Sequence, residues 1–492
     1  MTILALLLVP LLASAITVFM SSVRRMELVY LLSAAGSFLA ALWLAADVLS
    51  AGPVTLAGGF LYADHLSALV AFLTAFVYLV SAPYAVGYFR SDEGQEASGI
   101  SARKLRKYYA LAPLFAFSMF LVVVSNNLGV MWVAVEGTTL ASIFLVTFYG
   151  RGTSLEAAWK YAILGGVGLS MALFGTVLTY YAAHEVLGGE SLSVLNWSVL
   201  AGSAVHFDKT VMRLSFILVL LGYGTKAGLA PMHTWKPDAY SEAPVPVSAL
   251  MATAVVNTAL YALARFYVLA GHSMGTPFAS QLLVLFGLLS IGIAVPFILV
   301  QRSYRRLLAY SSIDHGGIMV LGLGFGGALG SLGMLLHMTF YSVTKPLLFF
   351  CAGNAQQQTG SDSLKRAPGG LLHSLPVSAP MFLLAALALT GTPPFSMFQS
   401  EFTILRAGFA AQRVGAVIIF VAFVVAIFCG FFYHVANLVF GPPSNGPRGE
   451  FSRWKTYPVV VLSLIVVVLA FWLPAPMYAL IDGASRILVI EP

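Results

Sequence analysis

Apolar stretches of about 20 residues, the length that crosses ~30 Å of hydrocarbon, follow one another along the whole chain with polar connections between them. Fourteen are counted, at 2–20, 28–49, 64–88, 109–125, 128–149, 157–182, 211–230, 246–270, 280–300, 305–327, 330–356, 376–409, 415–440 and 457–480. Each predicts a helix, because backbone inside hydrocarbon must satisfy its own hydrogen bonds, and no segment reads as a credible strand. The seventh and twelfth are irregular: Pro231 interrupts one, and the cluster Gly391-Thr392-Pro393-Pro394 the other. They lie five helices apart and each carries one charge beside its break, the pattern of internal repeats with discontinuous helices. The expected fold is therefore an all-α polytopic membrane bundle of about 14 helices with two inverted five-helix repeats and broken helices 7 and 12. Its expected divisions are 1–108 (helices 1–3), 109–272 (first repeat, helices 4–8), 273–440 (second repeat, helices 9–13) and 441–492 (helix 14).

Composition agrees, with 59% hydrophobic and only 9% charged residues in 492. The longest polar interval, Arg90 to Lys107, is too short for an independent soluble domain, which needs ~50 residues. The first span lacks a basic leading region and a small-residue cleavage site, so it reads as a retained helix. Lys and Arg are unevenly placed. Odd-numbered connections carry seventeen of them (Arg24, Arg25, Arg90, Arg103, Lys104, Arg106, Lys107, Arg151, Lys236, Arg302, Arg305, Arg306, Lys365, Arg366, Arg448, Arg453, Lys455), even ones four (Lys209, Arg213, Arg406, Arg413). By the positive-inside rule the odd connections are cytoplasmic and both termini lie outside. The net charge of +7 is thus a matter of topology, and a nucleic-acid partner is excluded.

Within these apolar spans stand Glu136, Lys226, Lys345 and Glu401. A charge near the bilayer centre costs at least ~2.5–3.5 kcal/mol on insertion scales, and such residues usually face a bundle interior and mark ion routes; the blander alternative is a structural ion pair. At ~1.5 Å per residue, Glu136 falls near the midplane, Lys226 just before the break at Pro231, Lys345 deep in span eleven with His337 nearer the outside, and Glu401 in the outer half of span twelve. Cys351 and Cys429 are about eighty residues apart and cannot build an iron–sulfur or structural zinc site. His337 and His434 read as isolated on separate helices, so no metal site is expected.

Other polar residues receive plainer readings. Arg265 is expected to snorkel to the outer interface, and Asp64 with His65 to make surface or interface hydrogen bonds. Asp314-His315 is either a proton entry or a structural pair. Asp238 and Glu242 follow the span-seven break and serve either a proton inlet or helix capping. Lys160 and Glu156 share a helix face and predict an ordinary i,i+4 ion pair.

Several motifs occur together and in order: Asn126-Asn127-Leu128 through Trp132-Val133-Ala134-Val135-Glu136, Gly224-Thr225-Lys226 through Pro231, His233-Thr234-Trp235-Lys236-Pro237-Asp238, Ser241 through Leu250, Arg305-Arg306 through Tyr310-Ser311-Ser312, and Thr392 through Ser400-Glu401. Nearly the whole chain resembles the antiporter-like subunits of respiratory complex I, of multisubunit Na+/H+ antiporters and of membrane-bound NiFe hydrogenases. Val135 through Leu140, Gly222 through Lys226, Ser311 through His315 and Ser400-Glu401-Phe402 are most similar to the hydrogenase-4 component F branch.

The resemblance implies a proton path through Glu136, Lys226, Lys345, Glu401 and His337, with Glu136 and Lys226 as a buried, switchable ion pair. Asn257 stands where some relatives carry a helix-eight lysine, and an amide cannot accept a proton near neutral pH. Tyr341 replaces a second histidine of other branches. The implied function is a proton-translocating membrane subunit of a complex I-like respiratory or hydrogenase (formate hydrogenlyase-type) complex. Alternatives are a cation/proton antiporter or inorganic-carbon uptake subunit without redox chemistry, and a non-conducting scaffold interrupted at Asn257. The implied partners are other membrane subunits, the lipid bilayer and a cytoplasmic redox module holding the Fe–S clusters and NiFe centre, with no cofactor in this chain. The implied location is the cytoplasmic (inner) membrane.

Overall fold

The computed structural model describes residues 1–492 except 93–99, 189–191, 365–369, 442–448, 451 and 491–492. Lys365, Arg366 and Arg448 of the basic connections lie outside the described residues. In chain order the helices are α1 (Thr2–Val18), α2 (Val23–Ala51), α3 (His65–Asp92), α4 (Ala102–Val124), α5 (Leu128–Val146), α6 (Gly152–Leu187), α7 (Trp197–Ser203), α8 (Lys209–Ala227), α9 (Trp235–Glu242), α10 (Val245–Leu250), α11 (Val256–Met274), α12 (Thr276–Leu299), α13 (Tyr304–Phe325), α14 (Gly327–Thr359), α15 (Leu371–Ser374), α16 (Ser378–Leu389), α17 (Ser396–Ala410), α18 (Val414–Phe440), α19 (Arg453–Phe471) and α20 (Ala475–Leu488). The molecule is an all-α polytopic membrane bundle. Among the described residues eleven helical stretches are long and apolar enough to cross a membrane, and α1 and α16 are shorter apolar helices. The 22-residue α13 carries Arg305, Arg306 and Asp314, which make it more polar than the rest.

Local chemistry sets the helix ends. Asn127 accepts from the backbone of Gly129 and Val130 at the start of α5, and Asp208 from Thr210 and Val211 at the start of α8; such caps satisfy amides that the first helical turn leaves unpaired. Gly228, at φ +74°, closes α8 in a left-handed turn, a conformation glycine adopts without steric cost. Both expected breaks are present, α8 giving way to α9 and α16 to α17.

Three details depart from the sequence reading. A hairpin of β1 (Val54–Leu56) and β2 (Leu61–Ala63) pairs antiparallel, Val54 opposite Ala63, so the expectation of no strands fails; these residues lie in a connection between spans, where water-side hairpins are allowed. The last span ends at Phe471, and Pro474 separates it from α20, which continues to Leu488. The segment Val245–Met274 runs unbroken from α10 into α11 through a wider π-type turn at Met251–Val255.

The bundle is layered from lipid to centre. Apolar side chains such as Phe174, Leu285, Ile418, Val425 and Leu464 point outward on α6, α12, α18 and α19, where hydrocarbon replaces water as solvent. By contrast, α14 and Val245–Met274 are buried along their whole apolar windows. These two inner helices, with α13, carry Asn257, Arg265, Asp314, His315, His337 and Lys345 into the interior, so an internal axis of the bundle is polar.

Candidate functional site

The axis begins at the end of α8. Lys226 is 2% exposed, and its Nζ donates to Thr139 Oγ1 on α5 and to the Tyr161 hydroxyl on α6, both at 2.8 Å. Tyr161 also contacts Ser142 Oγ at 2.8 Å and stacks on Trp235, whose indole N–H donates to the Thr225 carbonyl. Glu136 lies one helical turn before Thr139 and near enough to Lys226 for their charges to interact. The two form no contact ion pair, and Glu136 Oε2 is buried without a hydrogen-bond partner among the described residues. Two hydroxyls hold the lysine instead.

The second cluster gathers residues of α13, α14 and α17. Lys345, fully buried on α14, donates through Nζ at 2.5 Å to Ser311 Oγ on α13. Asp314 lies one turn further along α13, interacts electrostatically with Lys345, and keeps Oδ1 buried and unpaired among the described residues. His315 Nδ1 meets His337 Nε2 at 3.0 Å, and His337 Nδ1 meets Ser400 Oγ at 3.0 Å. Ser400 precedes Glu401 in α17. The reading of His337 as isolated is therefore corrected: its partner His315 is 22 residues earlier, across the α13–α14 turn.

His315, His337 and Glu401 place donor atoms within 4.8 Å of one another. The histidine nitrogens that face each other there are engaged in their mutual hydrogen bond, and Glu401 stands beside them. Glu401 lines an apolar crevice of about 340 Å³ with Thr390, Phe398, Phe402 and Phe420. Gly391 (φ +67°) leaves space that a Cβ would take from the Glu401 carboxylate.

Beside the second cluster stand Asn257 and Tyr341, the Tyr341 ring 5.3 Å from that of His315. Asn257 Nδ2 donates to Ser342 Oγ at 2.7 Å while its Oδ1 is buried without a partner among the described residues. The Tyr341 hydroxyl donates to the Ala252 carbonyl in the π-type turn. Asp238 and Glu242 sit apart from this axis. Asp238 bridges Lys160 (3.0 Å) and Arg306 (2.7 Å), and Glu242 accepts from Thr153. The Lys160–Glu156 pair forms as expected, at 2.7 Å.

Two basic residues are misplaced by the sequence reading. Arg265 does not snorkel: at 2% exposure it makes a bidentate pair with Asp64 (2.7 Å twice), donates to Ser67, and lies 4.2 Å from the Trp197 ring. Asp64 is accordingly buried and not at a surface. Burial alone would raise its pKa, but the guanidinium and the Ser67 amide outweigh it and hold the carboxyl below the ordinary aspartate value. Lys236, counted as a loop residue, is wholly buried and donates to the carbonyls of Ala227 (2.6 Å) and Ser312 (3.2 Å). Arg305 and Lys455 are buried too; without these three the odd connections still hold most of the lysines and arginines.

A polytopic bundle with broken helices and a row of buried ionisable groups defines an ion-translocating class of membrane protein. Residues 125–428, which contain every expected path residue, match the family described as NADH:quinone oxidoreductase/Mrp antiporter, TM. The chain is 36% identical over 413 residues to a hydrogenase-4 component F homolog of Methylacidiphilum infernorum (isolate V4), covering 84% of this chain and 85% of that one. It is 31% identical over 431 residues to NADH-quinone oxidoreductase subunit N of Desulforudis audaxviator, covering 83% and 81%. A chain from the membrane-bound sulfane sulfur reductase, an archaeal respiratory membrane complex, has the same fold, with TM-score 0.88, 24% identity and coverage of 99% and 97%. This chain belongs to the NADH:quinone oxidoreductase/Mrp antiporter transmembrane family, as a multi-pass antiporter-like membrane subunit.

Proposed function

We propose that this subunit translocates protons within a complex I-like assembly of the hydrogenase-4, formate hydrogenlyase type. The observation that carries the reading is the buried row of exchangeable groups on α13, α14 and α17: Lys345 on Ser311, then His315, His337 and Ser400 hydrogen-bonded in series, with Glu401 beside the histidines. Likeness to the hydrogenase-4 component F homolog supports the type of assembly. Partners would be further membrane subunits and a cytoplasmic redox module whose Fe–S clusters and NiFe centre supply the driving force. The location would be the cytoplasmic (inner) membrane, with both termini outside; residues 109–272 and 273–440, each containing one broken helix, would be the two repeats.

The switch is the distance between Glu136 and Lys226. A nearby carboxylate favours the protonated lysine, whereas burial disfavours the charge. With Glu136 close, Lys226 takes a proton; with Glu136 withdrawn and only Thr139 and Tyr161 holding the amine, it releases that proton toward Lys345. A polar vestibule of about 590 Å³, lined by Arg151, Glu242, Arg305, Arg306, Gln356 and Asp362, supplies water access at the basic end. Exit past Glu401 to the outside would raise each proton's free energy by ~2.3 kcal/mol per 100 mV.

Lys226→Ala and Lys226→Arg in the intact complex, reconstituted into liposomes, test the reading. Both are expected to abolish coupled proton transport while the complex still assembles, because arginine stays protonated and cannot release a proton. Transport at the wild-type rate by the arginine variant would make Lys226 a fixed structural charge.

A further inference from the structure

The path as proposed has a gap at Asn257, whose amide cannot titrate. Lys236, on α9, reaches toward both of the lysines that the gap separates. Its ammonium touches the carbonyl of Ala227, the residue after Lys226, and that of Ser312, the residue after Ser311, the hydroxyl that holds Lys345. One nitrogen therefore contacts the backbone next to both carriers. The placement is built: Lys236 is wholly buried, and Gly228 leaves open the space its Cδ, Cε and Nζ fill.

Resting on the proton-translocation reading, we propose that Lys236 is the central proton carrier of this subunit, receiving a proton released by Lys226 and passing it to Lys345 in place of Asn257.

The partners of Lys236 suit that work. Two carbonyls accept from an ammonium and, more weakly, from a neutral amine, and the neutral amine keeps a lone pair for an incoming proton. Among the described residues no carboxylate lies within ion-pair distance to fix it as a permanent cation. In each step an N–H bond breaks on the donor ammonium and one forms on the acceptor amine, through water or the Ser311 hydroxyl. Lys236 and Lys345 are near enough for their charges to repel, so charging Lys236 favours release from Lys345 toward Asp314 and His315. Glu136 is the carboxylate facing Lys226, and Asp314 the one facing Lys345.

The competing explanation is a clamp tying the α8–α9 break to α13. Lys236→Gln keeps a donor for the carbonyls but cannot carry a proton, and Lys236→Arg keeps charge and donors but does not release one. Both are expected to lower proton transport by about 10²-fold or more, the scale of a positioned proton-transfer group, in complexes that assemble normally. Adding Asn257→Lys to Lys236→Gln returns an amine to the gap from α11 and is expected to restore most of the transport, which no clamp on Ala227 would do. Wild-type rates in either single variant would overturn the assignment, as would failure of the double variant to recover. Should the glutamine variant not assemble, the arginine variant decides. Absence of proton transport by the wild-type complex would instead sink the functional reading itself, and loss in Lys226→Ala with full transport in Lys236→Gln would sink only this one.

Discussion

Glu401 and Asp64 are both buried carboxylates, and their surroundings assign them opposite tasks. Glu401 meets an apolar crevice and shares a donor cluster with His315 and His337, so it can exchange a proton. Glu401→Gln keeps the volume and a polar end but removes the titration; proton transport in liposomes is expected to fall to background with assembly intact, and unchanged transport would remove Glu401 from the path. Asp64 is gripped on both oxygens by Arg265. Its carboxyl, held below the ~3.9 of an unfolded aspartate, gives stability that is complete above about pH 4 and is lost as pH falls through the folded value. Asp64→Asn leaves the guanidinium buried and unpaired, a loss of ~3–5 kcal/mol. Thermal melts of the complex should place the variant well below wild type at pH 7, with the gap narrowing as pH falls below about 4; a gap independent of pH would contradict the pairing. The depth of Arg265 was legible from helical rise, but its direction was not, because the partner that turns it inward is 201 residues away.

At the scale of elements, the two breaks carry the functional geometry, and their glycines do so through absent side chains. Gly391→Ala would bring a Cβ into the Glu401 carboxylate and strain a positive φ; strain of that kind costs ~1–2 kcal/mol. Gly58→Ala has comparable strain at φ +64° with nothing near its Cβ. The first is expected to impair transport and stability, the second stability alone; equal transport in both would show that the Gly391 space is idle. The breaks themselves were readable, since Pro231 and Gly391-Thr392-Pro393-Pro394 interrupt otherwise apolar runs. Lys236 was not, because a polar residue after a proline break reads as a loop until α9 is seen turning back inward. Its signal was Tyr240 at i+4 and the buried Trp235 beside it, which mark an inward face. The His315–His337 contact was hidden for a different reason: spacing along two antiparallel helices does not say which faces meet.

At the scale of the whole molecule, orientation and company are the open tests. By the positive-inside rule, the excess of Lys and Arg in the odd connections predicts the loop between α3 and α4 in the cytoplasm and both termini outside. Reporter fusions in that loop and at each terminus are expected to agree, and a loop reporter active outside would reverse the direction assigned to the path. Metal analysis of the purified intact complex is expected to find Ni and Fe, and a metal-free assembly would favour cation/proton transport without redox chemistry. The Asn126-Asn127 motif bears on how any such assembly works. Asn126 bonds to Gly59 and Ser198, its backbone to Phe60 and Trp197, and Asn127 pairs with Asn196, which pins the first turn of α5 to the hairpin and to α7. Glu136 stands nine residues beyond Asn127, or ~13 Å along the helix axis. With that end of α5 held as a pivot and Glu136 on the arm, a tilt of about ten degrees would move its carboxylate by roughly 2 Å. In the proposed mechanism, leverage on the far end of one helix would then set the distance between Glu136 and Lys226.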